Sequence, residues 1–451
     1  MSGTAFDAII AERPDDATAV EQRPYATVAA RRIHAHGLLR PLLSVVDQAI
    51  FASTTFLTTV IVGRALSQAD LGAYYLAFSL VMLLRGVQVE LSSSPCMVFC
   101  HRRTGRELAT YTGSTLLHHL GLTAVAVACL VATVAISELI AGTAHRASIG
   151  WTLTAVLPLL LLREYIRQLA FAHLRLGAAI ALDAAIASLQ IGGLVLLAST
   201  GLLTVAATYG VMGLACGIAC CIWLATCRRM FRFDRAACFR DWRHNWRFSR
   251  WTLASFLAGS TTPYLLPWML ALAHGEAATG VLTACLTLVG VSQMFVTGVS
   301  NFLTPQAARA FTTGGAPSLR LVLWKAAALY AIVLGALCLV FVISGEALVL
   351  LAFKSPYAGG GLITAMLSLS VLAHSLGVTA GNGLWAIERP RANFTADLVN
   401  LFVTLTAGTS LSFSCGVSGA AAALLLGSVT AAAMRYWMLS RCLQEITSDT
   451  V

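Results

Sequence analysis

The chain divides into twelve apolar segments, near residues 41–63, 73–98, 111–136, 149–172, 179–200, 204–226, 251–272, 279–303, 320–343, 362–385, 392–413 and 417–439. Each is long enough for a helix, rising about 1.5 Å per residue, to cross the roughly 30 Å hydrocarbon layer of a bilayer. Of the 451 residues 58% are apolar and only 11% are charged. A soluble domain carries about 25% charged residues. No soluble core absorbs a chain with a mean hydropathy of +0.78. The reading is an all-α polytopic membrane protein with about twelve transmembrane helices.

Basic residues set the orientation, because loops left on the cytosolic side keep an excess of Lys and Arg. Residues 1–40 mix acids, Pro and Ala and hold no apolar stretch of a cleavable signal peptide. They read as a cytosolic tail ending in Arg31, Arg32 and Arg40. The loops at 99–110, 173–178, 227–250, 304–319 and 386–391 are then cytosolic, as is the tail 441–451. The loop "CRRMFRFDRAACFRDWRHNWRFSR" alone carries eight arginines. The outer loops hold only Arg64, Arg146 and Lys354. Trp151 and Trp268 fall at outer helix ends. Trp223, Trp251, Trp324, Trp385 and Trp437 fall near inner ends, so both interfaces have aromatic belts. The net charge of +10 therefore marks cytosolic loops and not a nucleic-acid partner.

The chain repeats itself. "RALSQADLGAYYLAFSL" follows the first segment and "LAHGEAATGVLTACLTL" follows the seventh, which aligns Gly72 with Gly280. "GVMGLA" from Gly210 stands before the sixth segment and "GVSGAA" from Gly416 before the twelfth, and Pro95 and Pro305 close the second and eighth segments. The offsets are 208, 206 and 210. They imply two six-helix bundles in the same orientation, 41–227 and 251–440, joined by the basic linker 228–250 and related by an axis along the membrane normal. Small residues at such positions also serve close helix packing.

The run "VDQAIFASTTFLTTVIVGRALSQADLGAYYLAFSLVMLL" resembles the start of a Wzx-type polysaccharide flippase of the multidrug/oligosaccharidyl-lipid/polysaccharide exporter superfamily. "LLREYIRQLAFAHLRLGAAIALDAAIASLQIGGLVLLA" resembles the fourth and fifth spans of that family, and "NFLTPQAARAF" its eighth-span exit. The resemblance covers roughly residues 41–440. It implies alternating-access translocation of an undecaprenyl-diphosphate-linked oligosaccharide across a bacterial inner membrane, for polysaccharide biosynthesis. It also implies membrane lipid, a polysaccharide polymerase and glycosyltransferases as partners. No cofactor, metal or covalent chemistry is implied.

Intramembrane charges face a bundle interior or a wet cavity more often than lipid. Asp47, Glu90, Arg163, Glu164, Arg167, Asp183 and Asp397 gather towards the inner side, and Arg85 sits deepest. The apolar run "WTLTAVLPLLLL" is too short to span, so the fourth helix must continue past Arg163 and Arg167. These two share a helix face and repel. Glu164 relieves Arg167, while Arg163 has no local partner. Arg85 and Glu90 point some 140° apart on one helix, which leaves Arg85 the charge least matched by fixed neighbours. Arg presents a fork of donors to phosphate. Arg85, Arg163, Arg167 and Glu90 are therefore the candidate substrate-binding residues, and Asp47 is the candidate cation-coupling carboxylate. Asp183 and Asp397, near helix starts, read instead as snorkelling or dipole-favoured carboxylates.

The twelve cysteines form no CxxC pairs and read as packing residues, as do His118, His119 and His374. Pro263 and Pro267 should kink the seventh helix, with Ser260, Thr261 and Thr262 satisfying the freed backbone groups. Two other functions compete. A cation-coupled multidrug exporter of the same superfamily would use Asp47, but the seventh span has no acid. A membrane glycan polymerase or ligase needs an outer catalytic loop, and "SGEALVLLAFKSPYAGGG" offers no clustered polar set.

Overall fold

The computed structural model describes residues 26–141, 144–173 and 175–448, and these are helical apart from short turns, with no strand among them. The chain forms two compact units, one ending at Leu42 and one starting at Leu43. In the first, the backbone is helical from Ala26; the rest of the expected tail lies outside the described residues. The membrane-spanning helices belong to the second unit.

Among the described residues nine helices are long and apolar enough to cross a membrane. Glycines at positive φ subdivide two of them. Thr262–Phe353 turns at Gly275 (φ 82°) and Gly315 (φ 61°), and Pro390–Ser448 turns at Gly416 (φ 61°). A side chain is costly in that backbone region, so glycine marks the corners. The spans in order are Val45–Ala65, Gln68–Arg102, Gly105–Ile140, Ala147–Ala172, Leu176–Ser199 and Val205–Met230. A seventh runs from Arg235 to 274, followed by 276–314, 316–353, Gly360–Ala386, 390–415 and 417–448. The twelve expected segments are all present, most of them longer than expected.

Local chemistry explains the breaks. Ser67 caps the second span: its hydroxyl accepts from the Asp70 N–H at 3.1 Å, and the Asp70 carboxylate accepts from the Ser67 N–H at 3.2 Å. Pro95 cannot donate to the carbonyl four residues back, and its ring would collide with it. The helix widens into a π turn at Val89–Ser93 immediately upstream, with the Ser94 N–H reaching Val89. The seventh span breaks where expected. Its first piece ends at Gly259, and a second starts at Thr262 with Pro263 in its first turn. The expected role of the threonines is corrected. The hydroxyls of Thr261 and Thr262 are buried without partners, and it is the Thr261 carbonyl that accepts from Tyr264 at 3.0 Å.

The repeat is visible as a contact. A Cβ on Gly72 would collide with the Glu276 carbonyl, and one on Gly280 with the Gln68 carbonyl. The offset that carries Gly72 onto Gly280 also carries Gln68 onto Glu276, so this crossing of the second and eighth spans is its own image under a pseudo-two-fold. The second matched pair is not equivalent: Gly210 lies inside the helix Val205–Cys227, whereas Gly416 is a corner. Around the glycine crossing a shared core joins the halves through Val62, Leu71, Tyr74, Leu282, Cys285 and Phe353. Each half also has its own core, with Tyr111, Tyr165 and Cys216 in one and Leu303, Leu323 and Leu384 in the other. Beside the crossing, Arg64 donates to the terminal carbonyls of Leu351 and Ala352, which a helix end leaves unpaired.

Candidate functional site

The fourth span, as the short apolar run requires, stays helical through Ala172. It therefore carries Arg163, Glu164 and Arg167 into the first bundle. Arg163 donates to Asp183 on the fifth span at 2.7 and 3.2 Å. Arg167 reaches the other Asp183 oxygen at 3.0 Å, Glu164 at 3.6 Å, and Asp47 on the first span in a closer pair. Arg85 crosses from the second span to Glu164 at 3.0 Å, and Gln168 donates to the same oxygen at 2.8 Å. Three arginines meet three carboxylates, and the formal charges cancel.

Several expectations change here. Arg85 is not unmatched: its partner is Glu164, and Glu90 does not take that place. Arg163 is not unpaired either. Asp183 does not snorkel, being 1% exposed and bridging two arginines. Helix rotation, which a single sequence does not encode, decides these pairings. Glu90 lies apart in the π turn, where Ser94 donates to it at 3.3 Å. Gln190 bonds Thr58 at 2.8 Å.

Burial separates the arginines into two kinds. The Arg167 side chain is 3% exposed, whereas Arg163 is 16% and Arg85 26% exposed. A cavity of about 50 Å³ is lined by Arg85, Arg163, Glu164, Asp183 and Gln190, but not by Asp47 or Arg167. The Nε of Arg85 and one oxygen of Glu164 are buried there without partners. Phe51, which sequence reasoning missed, lies one helical turn from Asp47. Its ring centre is 5.4, 5.0 and 5.5 Å from the guanidinium carbons of Arg85, Arg163 and Arg167, within cation–π range of all three. Phe51, Thr55 and Phe78 also wall a second cavity, of about 480 Å³, closed on its far side by Leu286, Gly290 and Met294 of the eighth span. The arginine cluster thus borders a space between the halves.

The second half holds a related pair. Asp397 accepts from Arg435 of the twelfth span beside a cavity of about 240 Å³. Asp183 and Asp397 lie 214 positions apart, as do the helix starts Leu176 and Pro390. The same offset carries Arg163 and Arg167 onto Gly377 and Gly381. Those glycines leave the room that the Arg435 side chain fills, since a Cβ at either would touch it. An arginine meets the equivalent aspartate in both halves, from the fourth span in one and the twelfth in the other. The offset pairs the two aspartates but sets Arg435 against Cys221, so it gave no signal for Arg435, which the sequence reading did not single out.

No protein-family model and no curated sequence matches the chain. Solved structures do. One is described as the inward-facing conformation of a multidrug resistance MATE family transporter of the MOP superfamily. It matches with a TM-score of 0.73 at 14% identity, over 88% of this chain and 96% of that one. The lipid II flippase MurJ, in an inward closed conformation, matches with a TM-score of 0.72 at 13% identity, over 88% of this chain and 87% of its own. A MOP superfamily transporter from Pyrococcus furiosus Vc1 (DSM3638) matches with a TM-score of 0.65 at 12% identity, over 91% and 96%. At these identities the likeness establishes the fold. The chain has the polytopic all-α architecture that MATE transporters and MurJ share.

Proposed function

We propose that the chain is a secondary transporter working by alternating access, and that it flips an undecaprenyl-diphosphate-linked oligosaccharide across a bacterial inner membrane, with both termini cytosolic. The observation that carries the reading is that the side chains of Arg85 and Arg163 are 26% and 16% exposed at the cavity, whereas Glu164 and Asp183, which line it with them, are 4% and 0% exposed. Arg85 keeps an unpaired donor there. A diphosphate entering this cavity meets two guanidinium forks. Because the cluster is neutral as built, the ligand must displace a carboxylate, and Glu164, held by Arg85 and Gln168, is the one to give way. Arg167 and Asp47 form the fixed part. Glu90 has no part in this reading. A polymerase and glycosyltransferases would supply and consume the substrate on either side.

The three carboxylates sustain a second reading, a cation-coupled multidrug exporter of the same superfamily with Asp47 as the coupling group. Thermal stability of the purified protein separates the two, since a ligand stabilises the state it binds. Undecaprenyl diphosphate should raise the melting temperature more than undecaprenol. The Arg85→Gln/Arg163→Gln variant should lose that increment. An equal response to the two lipids, together with stabilisation by a cationic dye, would reverse the choice.

A further inference from the structure

The segment between the bundles has a face that neither bundle covers. The helix Arg235–Gly259 turns Ala237, Asp241, Asn245 and Ser249 inward at four-residue spacing. Arg103 donates to Asp241 at 3.3 Å, and Tyr111 donates to Asn245 at 3.0 Å. The polar stripe is thus the one packed against protein. The opposite face exposes Arg240, Arg243 and Arg247 among Phe239, Trp246 and Trp251. Phe239 is 82% and Trp251 69% exposed. Among the described residues no carboxylate pairs with these three arginines.

Water suits the guanidinium groups but not three large rings, and hydrocarbon suits the rings but not the charges. The headgroup layer of a bilayer suits both: phosphates meet the arginines, and the rings sit at the interfacial level. We infer that the outward face of residues 239–251 binds anionic phospholipid, with phosphates on Arg240, Arg243 and Arg247 and the glycerol region against Phe239, Trp246 and Trp251. All eight arginines of 228–250 are exposed, so the segment needs external counter-charge, and an anionic leaflet supplies it. A lipid is favoured over a soluble partner because this helix is the first piece of the seventh span and leads, across Ser260 and Thr261, into its second piece. That continuity holds the face at the membrane surface. With the orientation proposed above, the leaflet is the cytosolic one; the inference itself needs only the fold.

Native mass spectrometry of the full-length protein, taken from mixed phosphatidylglycerol and phosphatidylcholine nanodiscs, tests this. The wild type should retain phosphatidylglycerol in preference to phosphatidylcholine. Replacing Arg240, Arg243 and Arg247 with Gln should lower that preference by roughly fivefold for each arginine removed, while Lys at the same positions should keep most of it. Single Gln variants give the graded loss if the triple variant does not fold. Unchanged preference in the Gln variants, or no preference in the wild type, would overturn the inference. So would release of the retained lipid by inorganic phosphate, which would mark a simple anion site.

Discussion

At the residue scale, similar arginines do different work. Arg167 is buried against Asp47, Asp183 and Glu164. Removing one partner from such a buried set leaves uncompensated charge and costs about 3–5 kcal/mol. Arg167→Gln should therefore lower the melting temperature and the amount of protein in the membrane. Arg85 and Arg163 are more exposed and face the cavity. Arg85→Gln should leave accumulation near normal and weaken diphosphate binding about tenfold or more, the usual worth of a hydrogen bond to a charged group. Quantitative membrane immunoblots beside ligand-induced melting shifts read the two effects separately. Equal loss of protein in both variants would make the whole cluster structural. The sequence showed which span held the charges, because twelve apolar residues are too few to cross. It could not show the pairing of Arg85 with Glu164, which lies 79 residues away and depends on how two helices are rotated.

At the scale of elements, the clearest device is the crossing at Gly72 and Gly280. Each glycine faces a backbone carbonyl, which cannot move aside as a flexible side chain can. Gly72→Ala should therefore destabilise the protein by at least the 1–3 kcal/mol typical of overpacking. Gly290→Ala, with open space around its Cβ position, should change little. Thermal unfolding of the two variants side by side checks this, and an unperturbed Gly72→Ala protein would remove the crossing as a fixed contact. The equivalence of the two glycines was legible in advance through the 208-residue offset, but their mutual contact was not. The π turn before Pro95 was not, since a proline announces a disturbance and not the form it takes. The Asp397–Arg435 pair was missed for a related reason: the second bundle uses a different helix to supply the arginine, so the residues do not align even where the interaction does.

At the scale of the whole molecule, length, hydropathy and the internal offsets were enough for twelve helices in two related bundles, because hydrocarbon thickness constrains helices more tightly than any soluble core does. The proposed orientation makes its own prediction. A reporter active only outside the cytosol should be on when fused after residues 70, 142, 276 or 356, and off after 104, 238, 312 or 445. Inversion at either of the last two sites would undo the arrangement. What loop charge cannot supply is the cargo, since the chemistry that would recognise it is assembled from the first, second, fourth and fifth spans. The most direct measurement is the sidedness of the lipid-linked glycan in a strain lacking this protein. Intact spheroplasts are treated with periodate, which oxidises vicinal diols and does not cross the membrane. Glycan in the deletion strain should stay protected. It should become accessible when the wild type is restored, and stay protected when Arg85→Ala is restored at equal abundance. Glycan equally accessible with and without the protein would contradict the proposal.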